Sequence, residues 1–391
     1  MKKTYTFTLF LAIVFLVFFV LTELGLRIAH YARERARHLQ NEINTEQKHP
    51  SYDEAGINPD TFDKMAQMQY STYLGYMPKE NSDGKGYRTN NVFFRYAVDM
   101  DFKKKDNEYR VFVTGGSAAW GTGVKQDKNL SSVAESLARN DFPEKVIRII
   151  SAGVGGYCST QERIFIENWI LGFSPDMVIL FSGWNDTYYG FSGENILLEQ
   201  DFLGYRARAE GGEPGSPSSV RQEKPVFKNY FLKTHYYIDK ALYKTRHEKK
   251  EVILAKILKR ERPIESVIET LLWNLHILSS LSQRYGFRLV FVLQPSLFVT
   301  QKQLTPYERG LLDTYTNKYI GFDSYNLAAY SKIKAALATD SKVNNYEFYD
   351  GDDFISSVKD SLFIDYVHFG DRGYRILWQR IYDTIIKNNI R

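Results

Sequence analysis

Four short apolar runs constrain the fold of this chain more than any other feature: Tyr109 to Thr114, Val146 to Ser151, Met177 to Ser182 and Phe287 to Leu293. They are too continuously apolar for strands with one wet face, and so suit a sheet covered on both sides. Between them, Leu130 to Arg139 and Gln161 to Leu171 carry apolar residues at helical spacing. Strand and helix alternating at this distance build a parallel sheet with right-handed crossovers. The carboxyl ends of such strands share one edge, where open α/β folds bind ligands.

The first run leads into Val111-Phe-Val-Thr-Gly-Gly-Ser117-Ala-Ala-Trp-Gly121. An apolar strand that breaks at glycine and restarts as a helix leaves the turn residue exposed at that edge. The two glycines allow a sharp turn and close approach of a substrate to the backbone. A helix starting near Ser117 offers N–H groups to developing negative charge, which is what a serine nucleophile needs. Gly-Gly-Ser also occurs in ordinary turns, so this stretch alone does not decide between the two readings.

The flanking regions suggest a domain plan. Met1-Lys2-Lys3 precedes an uncharged run from about Tyr5 to Thr22, and a helix of that length approximately spans a bilayer core of about 30 Å. A cleaved signal peptide is the competing reading, but no small-x-small site follows. The expected plan is an N-terminal transmembrane anchor at 1–27, a polar stalk or linker at 28–67 containing Pro50 and Pro59, and one domain at 68–391 with a helical insert at about 187–286. Arg27, Arg33, Arg35 and Arg37 outnumber Lys2 and Lys3, which on the positive-inside rule argues for a cytoplasmic body. Glu34 and the signal-anchor-like start argue the other way, and the expected location is single-pass membrane with the domain on the exported side. Within the insert, Ala209 to Ser219 reads as a flexible loop and Lys228 to Arg262 as a basic, Tyr-rich helical stretch. That stretch is either a solvated face or a surface for anionic headgroups or an acidic glycan.

Composition excludes some classes. With 391 residues, 43% hydrophobic and 25% charged, the chain can bury a large core, which argues against wholesale disorder. A net charge of +5 is too modest for a nucleic-acid binder by bulk electrostatics. The single cysteine, Cys158, rules out an intramolecular disulfide framework and reads as a small buried hydrophobe rather than a reactive thiol.

Further turn motifs follow the strand candidates: Ser151-Ala-Gly-Val-Gly-Gly156 after the second, Ser182-Gly183-Trp-Asn185-Asp186 after the third, and Asp365-Tyr-Val-His368 near the C-terminus. Each has an ordinary structural reading. Gly156 can be a turn glycine, Asn185-Asp186 can cap a helix, and His368 between Val367 and Phe369 can be a satisfied core histidine. A carboxylate three residues before an imidazole can also reach Nδ1 and fix its tautomer and orientation.

In this order the motifs resemble the SGNH hydrolases, or GDSL-type esterases. Gly115-Gly116-Ser117 is similar to the first block, Gly156 to the second, Gly183-x-Asn185-Asp186 to the third and Asp365-x-Val-His368 to the fifth. The resemblance runs from about Tyr73 to the C-terminal helix, the insert excepted. It implies a three-layer α/β/α sandwich with a central parallel sheet, flavodoxin-like in outline. It also implies Ser117 as nucleophile, His368 as general base and acid, Asp365 as its orienting partner, and an oxyanion hole made by the Ser117 and Gly156 N–H groups and the Asn185 amide. No cofactor and no metal is implied. The chain departs from the pattern at Gly116, where the family usually has Asp, and at Ser151, where it usually has Asn.

The function expected on this basis is a membrane-anchored serine esterase acting on O-acyl, chiefly acetyl, esters of a glycan or lipid. An O-acyltransferase of an envelope polysaccharide uses the same residues and is the runner-up. A third reading is a catalytically silent glycan-binding or scaffolding module. The expected partners are an ester substrate and the membrane, through the N-terminal helix, with no nucleic acid.

Overall fold

Successive side chains of a strand point to opposite faces, so a strand apolar throughout demands cover on both. The central sheet answers that demand. Its strands are β1 (Glu108–Gly115), β2 (Val146–Ser151), β3 (Met177–Ser182), β4 (Arg288–Leu293) and β5 (Glu347–Asp350). All pair in parallel, in the order β2-β1-β3-β4-β5. Val111, Val113, Ile149, Ile179, Val290 and Val292 enter one apolar core. The intervening Phe112, Ile150, Val178, Leu180 and Phe291 enter the other.

The computed structural model describes residues 66–192, 263–319 and 321–390, with helical positions between 10 and 31. The chain divides into two compact units, Met1–Lys48 with Val220–Lys259 and His49–Ser219 with Arg260–Arg391. The sheet belongs to the second.

A short helix α1 (Ser117–Trp120) follows β1, and then comes α2 (Leu130–Asp141), whose Leu130, Ala134 and Ala138 join the Val111 core. After β2 the chain crosses to the other face as α3 (Ser159–Asn168), where Phe165 and Ile166 join the Phe112 core. The two helices leaving β1 and β2 thus cover opposite faces, and β1 lies between β2 and β3. This is the flavodoxin-like strand order, with its topological switch point and binding crevice between the carboxyl ends of β1 and β3. The remaining helices are α4 (Trp184–Ser192), α5 (Ile264–Tyr285), α6 (Pro306–Lys318), α7 (Phe322–Asp340) and α8 (Asp371–Ile381). The last residues of α4, 187–192, and all of α5 fall inside the stretch expected as an insert, and α5 packs into the Phe112 core through Leu271, Leu275 and Leu278.

The expected α/β architecture with a central parallel sheet is present, and it has one strand more than the four apolar runs announced. β5, Glu347-Phe-Tyr-Asp350, is a half-buried edge strand paired on one side only, so it carries no continuous apolar run. The section before β1 packs onto the body as expected. It contains two short hairpins, Met68–Ser71 with Gly75–Pro78 and Asp83–Gly84 with Tyr87–Arg88. Arg95 bolts it down: the backbone bridges Ser151, and the buried guanidinium donates to the carbonyls of Gly86, Trp120, Gly121 and Val124.

The N-terminal transmembrane anchor requires correction. Among the described residues, no helix is long and apolar enough to cross a membrane. A span needs about 20 apolar residues. Behind the uncharged run the described helical positions carry the Glu23–Arg27 ion pair, 2.9 Å across. The single-pass membrane location and the membrane as a partner through that helix fall with it. The loop at 209–219, the basic stretch from 228 to 262 and nearly all of the stalk at 28–67 lie outside the described residues.

Candidate active site

The carboxyl ends of β1, β2 and β3 and the loop before α8 meet at one edge. Ser117 opens α1 directly behind β1. The segment carrying Asp365 and His368 is a tight loop closed at its base, where Phe363 bridges Phe369 and Gly370 N–H donates to the Leu362 carbonyl at 2.9 Å. That base is in turn held by a fully buried carboxylate, Glu308 of α6, which accepts from the N–H groups of Leu362 at 2.8 Å and Phe363 at 3.4 Å. Glu308 also completes a capping box with Thr305 and takes the Lys302 ammonium at 2.6 Å.

At the tip of the loop, Asp365 Oδ1 accepts from the backbone N–H groups of Val367 at 2.8 Å and His368 at 2.7 Å. Its Oδ2 lies 2.7 Å from His368 Nδ1, and His368 Nε2 lies 2.6 Å from Ser117 Oγ. Burial works against the Asp365 charge, but the His368 ring and the two N–H groups outweigh it and hold the carboxyl below its ordinary value. An ionised carboxylate only accepts, so Nδ1 carries the ring proton and Nε2 keeps a lone pair for the Ser117 hydroxyl. The geometry therefore points proton transfer from Ser117 to His368.

Asn185, on the first turn of α4, sits over the turn that presents Ser117. Its amide nitrogen donates to the Tyr157 carbonyl at 2.7 Å. A Cβ placed on Gly116 would come within 2.3 Å of that nitrogen. This gives the departure from Asp at position 116 a physical reason: the amide occupies the space a side chain would need. The amide has two N–H bonds, so one remains for a substrate oxygen. Gly156, next to Tyr157, has φ of +85°, and a Cβ there would meet the Tyr76 hydroxyl at 2.6 Å. Tyr189 donates to its carbonyl at 2.9 Å. Ser117, Asp365 and His368 thus form one hydrogen-bonded line, and Asn185 and Gly156 flank the turn that starts it.

Several neighbouring residues support this line without belonging to it. Asp186 does cap a helix, but it is the preceding α3, where it accepts from Ser159 N–H at 3.2 and 3.1 Å and from the Ser159 hydroxyl. Cys158 is buried, and burial, joined by the Asp186 charge, pushes its thiol well above the ordinary value. Ser151, where the pattern has Asn, donates to the Ala119 carbonyl at 3.1 Å and so braces α1 from β2. One flank is aromatic: Tyr366, between Asp365 and Val367, packs on Tyr315 at 4.5 Å and on Trp184 at 5.5 Å between ring centroids. Among the described residues, no cluster of His, Cys, Asp and Glu could hold a metal ion.

No family model and no curated protein matches the chain. Solved structures similar to it include Axe2, an acetylxylan esterase from Geobacillus stearothermophilus, at 12% identity and a TM-score of 0.39 over 73% of this chain and 97% of that one. TesA is similar at 10% identity and 0.38, over 72% and 99%. The acetyl xylan esterase AlAXEase is similar at 12% identity and 0.36, over 71% and 99%. Likenesses this weak assign no activity; the functional reading rests on the site's own geometry.

Proposed function

We propose that this protein is a serine ester hydrolase that removes O-acyl groups, acetyl foremost, from a glycan or lipid. The observation that carries the reading is the line from Asp365 through His368 to Ser117, with both links at 2.6 to 2.7 Å. The Ser117 proton passes to His368 Nε2 as Oγ bonds to the ester carbonyl carbon, and the carbonyl electron pair moves to oxygen. The Ser117 and Gly156 N–H groups and the free Asn185 N–H meet that oxyanion. Collapse of the intermediate breaks the bond to the alcohol, which leaves with the proton from His368. Water then attacks the acyl-serine, giving its proton to His368; the bond to Oγ breaks, Ser117 takes that proton back, and the acid departs. The aromatic flank offers apolar faces suited to a sugar ring or an acyl chain.

Hydrolysis of p-nitrophenyl acetate by the full chain tests the reading. Turnover is expected, with loss in Ser117→Ala; equal rates in the two proteins would contradict it. Asn185→Ala is expected to lower kcat about a hundredfold or more with little change in KM, because the amide acts on charge that exists only in the transition state. Near-normal turnover would count against Asn185 as an oxyanion donor.

A further inference from the structure

Glu162 has no part in the chemistry above, yet it is fully buried behind the site, and among the described residues it has no ion-pair partner. Its carboxyl joins two strand ends. Oε1 accepts from the Ser182 hydroxyl, and Oε2 lies 3.3 Å from Thr114 Oγ1. Thr114 precedes Gly115-Gly116-Ser117, and Ser182 precedes Gly183-Trp184-Asn185. The backbone pairing of β1 with β3 ends at Gly115 and Phe181, so at Ser182 the Glu162 carboxyl continues the link between these strands where the ladder stops.

We propose that Glu162 is a positioning residue that works as a neutral acid, holding the ends of β1 and β3 at the spacing that sets the Asn185 amide beside the Ser117 turn, and that loss of its proton disables the site. The proposal rests on the esterase reading for its effect on rate, but not for its effect on geometry.

With the carboxyl protonated, every polar hydrogen has an acceptor. Ser182 donates to Oε1; the Thr114 hydroxyl, placed to donate to Oε2 at 3.3 Å when the carboxyl is ionised, accepts Oε2–H instead and turns to the Ile179 carbonyl at 3.5 Å. Ionisation takes away the donor that frees Thr114 for Ile179, and puts a buried charge behind a site that must stabilise an anion. The Ser182 and Thr114 hydroxyls are the groups that relieve that charge, and among the described residues no cation or backbone N–H joins them. β1 and β3 offer only hydroxyls, α4 brings the Asp186 carboxyl, and α5 brings the neutral Asn274, which donates to Ser159 and Thr160. On its own helix, Cys158 is a buried thiol, and Arg163 is engaged with Glu167 and Asn274. Asp186 has the Ser159 N–H to hold a charge; Glu162 has none. Burial pushes the Glu162 carboxyl up to about 8, with the Ser182 and Thr114 hydrogen bonds opposing and the Asp186 charge adding to the rise.

Two measurements on the full chain test this. In the first, kcat/KM for p-nitrophenyl acetate is followed from pH 6 to pH 10. The wild type is expected to lose activity with a midpoint near pH 8, about tenfold per unit beyond it, while Glu162→Gln stays within about threefold of the wild type at pH 7 and keeps its rate past the wild-type midpoint. An alkaline limb identical in both proteins would overturn the proposal. The second needs no turnover: the side-chain amide signals of Asn185, assigned by their loss in Asn185→Asp, are followed by nitrogen-15 NMR across the same range. They are expected to titrate with the same midpoint in the wild type and not in Glu162→Gln. Wild-type signals that do not respond would overturn the proposal even if the Gln variant did not fold. Absence of ester turnover alongside a titrating Asn185 would remove the esterase reading and leave the Glu162 coupling standing.

Discussion

Exchanging His368 for alanine is expected to cut kcat on p-nitrophenyl acetate by about 10⁵-fold or more, with KM little changed. Among the described residues, the imidazole is the base hydrogen-bonded to Ser117 Oγ, at 2.6 Å, and Asp365 reaches the serine only through it. Without the ring, the hydroxyl must ionise unaided at a pH far below its own range. Steady-state rates with the spontaneous reaction subtracted provide the measurement, and added imidazole should restore a small part of the loss. A fall of tenfold or less would mean that another group takes the proton.

The largest effect on stability is expected from Glu308→Ala. Lys302 and Glu308 are both fully buried and 2.6 Å apart, and the carboxylate also holds the N–H groups of Thr305, Leu362 and Phe363. Removing it strands a buried ammonium and several backbone donors, a loss of about 3–5 kcal/mol. Urea unfolding measures it. Because a buried pair replaced by apolar side chains of similar volume is often neutral, Lys302→Met with Glu308→Leu should recover part of the loss. A single variant within about 1 kcal/mol of the wild type would contradict this account of the pair, since breaking such a pair normally costs several times as much. The same change should loosen the loop that presents Asp365 and His368, lowering activity as well as stability.

The parts of this molecule that were legible in the sequence are those written as continuous patterns. The second and third strands begin and end where their mostly apolar runs do, although the second is an edge strand that carries the half-buried Arg148. Ser117, Gly156 and Asn185 were legible because each follows a break behind a strand run, while Asp365 and His368 follow no such run and were read from their three-residue spacing. β5 was not legible, since an edge strand of Glu-Phe-Tyr-Asp has neither a continuous run nor a full alternation.

The supporting groups were hidden for another reason. Glu308, Glu162 and Arg95 look like ordinary charged residues in sequence, and only folding shows them buried with all their partners in place. Glu162 left a trace: it lies three and four residues before Phe165 and Ile166, on the helical face that enters the core. The membrane helix failed for the opposite reason. Charge-free length alone suggested it, and among the described residues no helix is long and apolar enough to cross a membrane.

The central claim is that Ser117 is a nucleophile because His368 makes it one. Reaction of the folded chain with a fluorophosphonate, followed by peptide mapping in a mass spectrometer, tests it most directly. The adduct is expected on Ser117, and it should form far more slowly in His368→Ala and not at all in denatured protein. Labelling elsewhere, or labelling of Ser117 that is indifferent to His368, would contradict the account.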